Sequence, residues 1–394
     1  MTAGNPLHAL AGLGQSVWLD FIRRSWLEDG TVERLIQDDD LRGMTSNPAI
    51  FEKAIAHGRE YDAQIQAIVA RGERQAEAIY EEVAVADIRR AADLLAAVYR
   101  RTHCQDGYVS LEVSPELAED PAGTLAEARR LWKEVDRANL MIKVPGTRTC
   151  LPVIRTLLAE GINVNITLLF AKDAYALVAE AYLAALEERL GRGLPVDRVA
   201  SVASFFISRI DTLVDKQLEA RSALVSPADR MRLEALKGKI AIANAKQAYS
   251  LFTGLFASPR WQRLAEAGAV PQRLLWASTS AKNPAYRDVV YVEELIGRDT
   301  VNTMPPETID AFRDHGVAKA TLGSGLTEAR QQLEELAALG IALDAATDEL
   351  LADGVAKFVE PFRKLLAAIA AKTAELAART DTGASGSVAS QVTR

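Results

Sequence analysis

Apolar and polar positions along this chain change period repeatedly. Short runs such as Val17-Trp-Leu19, Leu140-Met-Ile142 and Leu274-Leu-Trp276 hold a few apolar residues and stop at a polar residue, Pro or Gly. Runs of this length with such punctuation predict buried strands. Between them lie stretches with the 3.6-residue period of amphipathic helices, of which the Ala- and Leu-rich Ile79–Tyr99 is the most regular.

The pattern predicts strands over Ser16–Asp20, Leu41–Asn47, Tyr108–Val113, the run within Asn139–Thr147, Ile162–Leu168, Arg198–Ser204, Leu274–Ser278 and Thr300–Met304. Helical pattern runs to Asp38 with a break at Gly30, then over Ile50–Arg101, Pro121–Asp136, Arg148–Glu160 and Lys172–Leu190. It resumes over Ile207–Phe256, with a break near Ser226-Pro227, and fills most of 306–378. Pro121 suits a first helical turn and Gly161 a helix C-terminus.

Strands alternating with helices build either an open doubly wound sheet or a closed (β/α)8 barrel. Polar residues decide between them. Asp20, Asn47, Glu112, Lys143, Thr167, Ser204 and Ser278 fall at or near the ends of different strands. An open sheet gathers ligands at one switch point, whereas a closed barrel brings every strand end to one mouth. The expected fold is therefore α/β, a (β/α)8 TIM barrel with extra helices and a C-terminal helical segment. Its expected limits are 16–378 as a single domain, preceded by a loose arm over 1–15. The small, polar residues 379–394 are expected to form a disordered tail.

Composition narrows the function classes. The chain has 394 residues, 49% of them hydrophobic and 25% charged, as in soluble globular proteins. A net charge of −7 gives no general attraction for nucleic acid or anionic membrane, so any anion site must be local. The cysteines Cys104 and Cys150 and the scattered His8, His57, His103 and His315 show no metal-ligand spacing. No leader-like segment and no apolar run near 18 residues stands out, so the expected location is the cytoplasm, with neither membrane nor nucleic acid as partner. A monomer and a homodimer are both compatible with the sequence.

Lys143 is the residue hardest to explain as filler. It stands among Leu140, Met141, Ile142 and Val144, in a strand closed by Pro145-Gly146. A buried ammonium must pair with a carboxylate or give up its proton, and a desolvated amine is a nucleophile suited to Schiff-base chemistry. At a barrel mouth it meets Glu112 and Asp20. Either the three form a structural ion cluster, or Lys143 attacks a carbonyl while the carboxylates move protons at different steps. Asn47, Asn165 and Thr167 then hold substrate hydroxyls and a water. No Gly-rich dinucleotide or phosphate loop accompanies them.

Six segments in order carry a resemblance to the transaldolase family. They are Thr45-Ser-Asn-Pro48, Ser110-Leu-Glu-Val113, Met141-Ile-Lys-Val-Pro145, Gly161-Ile-Asn-Val-Asn-Ile-Thr-Leu-Leu-Phe170, Val202-Ala-Ser-Phe-Phe-Ile-Ser-Arg-Ile-Asp211 and Trp276-Ala-Ser278. The resemblance covers roughly Ser16 to Leu366. It implies that Lys143 is the Schiff-base lysine, that Asp20 handles the proton of carbon–carbon cleavage, and that Glu112 works through a water held with Thr167. Asn47 and Asn165 match contacts to the bound three-carbon unit, and Ser204, Arg209 and Ser278 match phosphate and substrate-orienting positions. Phe206 is implied to face the bound intermediate, where the sibling aldolases carry a tyrosine. Many members have arginine two residues after the serine matched by Ser278. Here Thr279-Ser-Ala precede Lys282, the expected substitute, which lacks arginine's bidentate fork.

The implied activity moves a dihydroxyacetone unit from sedoheptulose 7-phosphate or fructose 6-phosphate to glyceraldehyde 3-phosphate or erythrose 4-phosphate. It needs no metal or organic cofactor, because the iminium is the electron sink. Rival readings are a related aldolase that releases free dihydroxyacetone and a non-catalytic sugar-phosphate-binding barrel. For Arg209 the plain alternative is a helix-surface ion pair with Asp211 or Asp215.

Overall fold

The computed structural model describes residues 4–388, with side chains through Leu376 and excepting His57. Eight parallel strands close on themselves: β1 (Gln15–Asp20), β2 (Leu41–Thr45), β3 (Tyr108–Glu112), β4 (Leu140–Pro145), β5 (Val164–Leu169), β6 (Ser201–Phe206), β7 (Arg273–Ala277) and β8 (Thr300–Met304). Pairing of β1 with β8, from Gln15 opposite Thr300 to Leu19 opposite Met304, completes the barrel. The chain is thus a (β/α)8 barrel. The mostly apolar, buried runs of the strands follow from that closure, since one face fills the barrel and the other packs on helices.

The connecting helices are α1 (Pro6–Gly12), α2 (Arg24–Glu28), α3 (Thr31–Asp38), α4 (Pro48–His57), α5 (Asp62–Ala70), α6 (Ala76–Arg101), α7 (Pro121–Val135), α8 (Leu151–Glu160) and α9 (Lys172–Gly191). They continue as α10 (Ser208–Ser222), α11 (Pro227–Leu236), α12 (Ile240–Leu255), α13 (Pro259–Glu266), α14 (Val290–Glu293), α15 (Pro306–His315), α16 (Leu326–Ala338) and α17 (Leu343–Val388). Their ends obey local rules. Pro stands at the first turn of α4, α7, α11 and α13, and Asn47, Asp120, Ser226 and Ser258 cap them with a side-chain oxygen.

Several boundaries differ from the sequence reading. The expected loose arm contains α1, whose Leu7 and Leu10 are fully buried; seven residues are too few to display a helical period. Asn47, expected inside the second strand, instead caps α4 through Oδ1, which accepts from the Ile50 N–H at 3.1 Å. The sixth strand begins at Ser201, not Arg198, because Arg198 lies in the exposed turn before it. The helical stretch expected over 50–101 is three helices; that expected over 207–256 does break near Ser226-Pro227, between α10 and α11, and breaks once more before α12. Of the residues expected to be disordered, the backbone of α17 includes those up to Val388, and the remainder lie outside the described residues.

The position of α17 matters most for the site. It packs on α4, α5, α6 and α10 and on β5, and so crosses the C-terminal mouth of the barrel. The approach is close at Gly354, where a Cβ would stand 2.9 Å from Leu168 Cδ2. Among the described residues no helix is long and apolar enough to cross a membrane.

Candidate active site

The strand ends surround a cavity of about 170 Å³ at the C-terminal mouth. Larger hollows exist, including one of about 540 Å³ between α12 and α16. The mouth gathers side chains from many strands, which is where barrel chemistry resides. Asp20, Asn47, Lys143 and Thr167 line it, as do Ser204, Phe206, Arg209, Ser278 and Lys282. Register explains the convergence. Asp20 is opposite Thr45, Glu112 opposite Lys143, Pro145 opposite Thr167, and Phe206 opposite Ala277, so each pair points to the same side of the sheet.

Lys143 is 5% exposed and Glu112 8%. The Lys143 Nζ donates to Glu112 Oε2 and to the Ser46 carbonyl, both at 3.2 Å. It also stands 5.4 Å from the ring centroid of Phe358, which α17 lowers over the mouth. Burial pushes the Glu112 carboxyl above its ordinary range, while the Lys143 charge and hydrogen bond hold it back. Asp20 is likewise pushed up by burial. The Lys143 charge and a 2.7 Å hydrogen bond from the Thr45 hydroxyl to Asp20 Oδ1 oppose this. Since that bond uses the Thr45 proton, the Thr303 hydroxyl, 2.7 Å away, donates to Thr45. Glu307, on the first turn of α15, adds a third negative charge near Asp20.

Asn165 is present but recessed. It is fully buried below the cavity, where its amide donates to Ser110 Oγ at 2.9 Å and its Oδ1 accepts from Ser204 Oγ at 2.6 Å. This bridge across β3, β5 and β6 orients Ser204. Asn47 spends its oxygen on the α4 cap, so its NH2 group is what it can offer a ligand.

Two buried polar atoms at the cavity have no partner among the described residues: Thr167 Oγ1 and Arg209 Nη1. Such groups are normally satisfied, so these are where ligand or water oxygen atoms fit. Arg209 lies on the first turn of α10, its Cζ 5.1 Å from the Phe206 ring centroid. Burial lowers its pKa from an ordinary value so high that it stays cationic at neutral pH. It forms no ion pair with Asp211 or Asp215, both of which are buried and bonded elsewhere. Residues two and six positions along a helix do not face the first. Lys282 is exposed at the rim, donating to Ser280 Oγ at 2.6 Å.

The backbone is strained at two places beside the site. Leu168, directly after Thr167, has φ +62°, and the β5–β6 register slips there; Ser278 has φ +57°. Left-handed geometry costs a non-glycine residue about 1–2 kcal/mol, and such strain concentrates at functional sites. Thr45, Ser280, Thr303, Glu307 and Phe358 also line the cavity, though the sequence had not singled them out. Among the described residues, no group of three or more His, Cys, Asp or Glu is placed to hold a metal ion.

Comparison with known proteins bears on the family. Residues 17–369 match the model of a family described as transaldolase/fructose-6-phosphate aldolase. A protein named transaldolase 2 from Nostoc sp. is 47% identical over 374 residues, covering 93% of this chain and 97% of the relative. Transaldolases of Trichodesmium erythraeum and Thermobifida fusca are 44% and 45% identical, each over 94% of this chain and 98% and 99% of their own lengths. With the family model spanning nearly the whole barrel and relatives matched almost end to end, the chain belongs to the transaldolase/fructose-6-phosphate aldolase family.

Proposed function

We infer that this protein is a transaldolase, a transferase that moves a dihydroxyacetone unit between phosphorylated sugars through a Schiff base on Lys143. The observation that carries this reading is the buried Lys143–Glu112 pair at 3.2 Å, whose lysine lines the same mouth as Asp20 while Glu112 stands behind it. A proton passing along that bond leaves a free amine and a neutral carboxylic acid, which are the nucleophile and the acid the first steps require. The amine attacks the C2 carbonyl of fructose 6-phosphate or sedoheptulose 7-phosphate. Glu112, acting through a water held by Thr167, protonates the departing hydroxyl and leaves the iminium.

Asp20 then takes the proton of the C4 hydroxyl. The C3–C4 electron pair moves into the iminium, and glyceraldehyde 3-phosphate or erythrose 4-phosphate departs. The remaining enamine waits under Phe206 and Phe358, which offer no proton and exclude water. Addition to the other aldehyde reverses the sequence. This is the carbon exchange of the non-oxidative pentose phosphate pathway, and it needs no cofactor because the iminium accepts the electrons. Fructose 6-phosphate with borohydride is expected to leave a reduced three-carbon adduct on the Lys143 peptide. With erythrose 4-phosphate present, the enzyme should release glyceraldehyde 3-phosphate. Rapid acceptor-independent release of dihydroxyacetone would instead identify an aldolase, and failure to form any adduct a sugar-binding barrel.

The phosphate of these substrates requires local cations on a net-negative chain. Arg209 and Lys282 serve, with Ser278 and Ser280 lining the same cavity. A hydrogen bond to a charged group contributes about 1.5–3 kcal/mol. Arg209→Ala is therefore expected to raise KM for fructose 6-phosphate roughly 10- to 100-fold, while dihydroxyacetone binding in the trapping assay changes little. Equal losses for both ligands would refute the phosphate role.

A further inference from the structure

Asp211 and Asp215 are 1% and 8% exposed and lie one turn apart on the same face of α10. Among the described residues neither forms an ion pair; Lys237 stands near enough to Asp215 to attract it but is paired with Glu219 and Glu234, and a buried carboxylate without a bonded cation is costly. Each instead joins the same two neighbouring segments. Asp211 accepts from the Ala241 N–H at 2.8 Å and from the Tyr291 hydroxyl at 2.8 Å. Asp215 accepts from the Gly238 N–H at 3.1 Å and from the Tyr286 hydroxyl at 2.6 Å. The Tyr286 ring lies so close to Gly238, which has φ +67°, that a Cβ there would stand 2.7 Å from the ring.

At its other end the same connection is fixed to the same helix. The Ser208 N–H donates to the Ser278 carbonyl at 3.0 Å, and the two side-chain hydroxyls lie 3.0 Å apart. Between these attachments run residues 279–285, which include Ser280 and Lys282; α10 itself carries Arg209. An exposed lysine held by a single hydrogen bond to Ser280 has many orientations to lose on binding an anion. Fixing both ends of its loop to the helix of Arg209 removes part of that loss beforehand.

We propose that Tyr286 and Tyr291, held by Asp215 and Asp211, are positioning residues that set the Lys282 loop against Arg209 and so preorganise the substrate's phosphate site. The proposal rests on the phosphate reading of Arg209 and Lys282 given above. Burial pushes the Asp211 carboxyl up to about 7 and raises Asp215 as well, so the two carboxylates are kept at some cost to the fold.

The test compares Tyr286→Phe, Tyr291→Phe and the double variant, each of which loses a hydroxyl and no ring. Inorganic phosphate as competitive inhibitor and fructose 6-phosphate as substrate report on the phosphate site; borohydride trapping with dihydroxyacetone reports on Lys143 alone. The double variant is expected to raise the phosphate inhibition constant and the fructose 6-phosphate KM about tenfold. The kcat and the dihydroxyacetone dependence of trapping should stay within about twofold. Parallel losses in all four quantities would reveal a merely structural contact and overturn the proposal. Lys282→Ala separates the two layers of inference. If it leaves the phosphate constants unchanged, the phosphate reading itself fails, and the latch with it. If it raises them while the tyrosine variants do not, the latch alone fails. Should the double variant not fold, Tyr286→Phe, at the more exposed of the two rings, decides by the same readings.

Discussion

Lys143→Ala should abolish turnover, by on the order of 10⁴-fold or more, and should take up no label from borohydride and a ketose phosphate. The other lysine lining the mouth is Lys282, which is at its rim. The variant also removes one half of a buried ion pair, a change that typically destabilises by about 3–5 kcal/mol because the other charge is left alone. Here the cost should be smaller, since burial already favours the protonated form of Glu112, which can take up a proton and stay neutral. Lys143→Met, which fills the same space without charge, is the companion variant. Both should retain the far-UV dichroism and a cooperative melt while losing activity. Label on another lysine peptide would dislodge Lys143 from its role.

How much of this was visible in the chain depends on distance along it. The strands were legible because short apolar runs bounded by Pro, Gly and polar ends suit a strand buried on both faces. Lys143 was legible because a charge inside such a run violates the pattern. Asp20, Glu112 and Thr167 followed once the barrel was assumed. Phe358 was not, since on α17 it is one apolar position in an amphipathic helix, and nothing local says that this helix crosses the mouth. Thr45 and Thr303 look like ordinary strand-end threonines until their hydroxyls are seen in line with Asp20. Asp211 and Asp215 misled in the other direction. Close to Arg209 in sequence, they offered a surface ion pair as the alternative to its phosphate role, but the helix turns them inward to two tyrosines. Asn165 shows a milder limit. Its strand position pointed to the cavity, but hydrogen bonds to Ser110 and from Ser204 draw it beneath.

The two carboxylates should fail at different steps. Asp20→Asn keeps the Lys143–Glu112 pair, so carbinolamine formation and dehydration remain possible and borohydride should still trap the substrate on Lys143. What is lost is the base for the C4 hydroxyl. Asparagine can accept no proton there, and general-base help is worth about 10²–10⁴-fold, so cleavage should fall by that factor while the six-carbon adduct accumulates. Glu112→Gln leaves Asp20 and its hydrogen bond from Thr45 in place but removes the acid beside Lys143. Adduct formation itself should then slow by a similar factor, and any adduct formed should proceed to cleavage. Burial raises both carboxyls, so the acid limb of wild-type kcat/KM should lie above the ~4 of ordinary carboxylates. Activity should decline as pH falls through that limb, because Asp20 must be ionised to take the proton. Single-turnover quench with borohydride, followed by mass spectrometry of the Lys143 peptide, distinguishes six-carbon from three-carbon adducts. Accumulation of the same adduct at the same rate in both variants would contradict the division of labour.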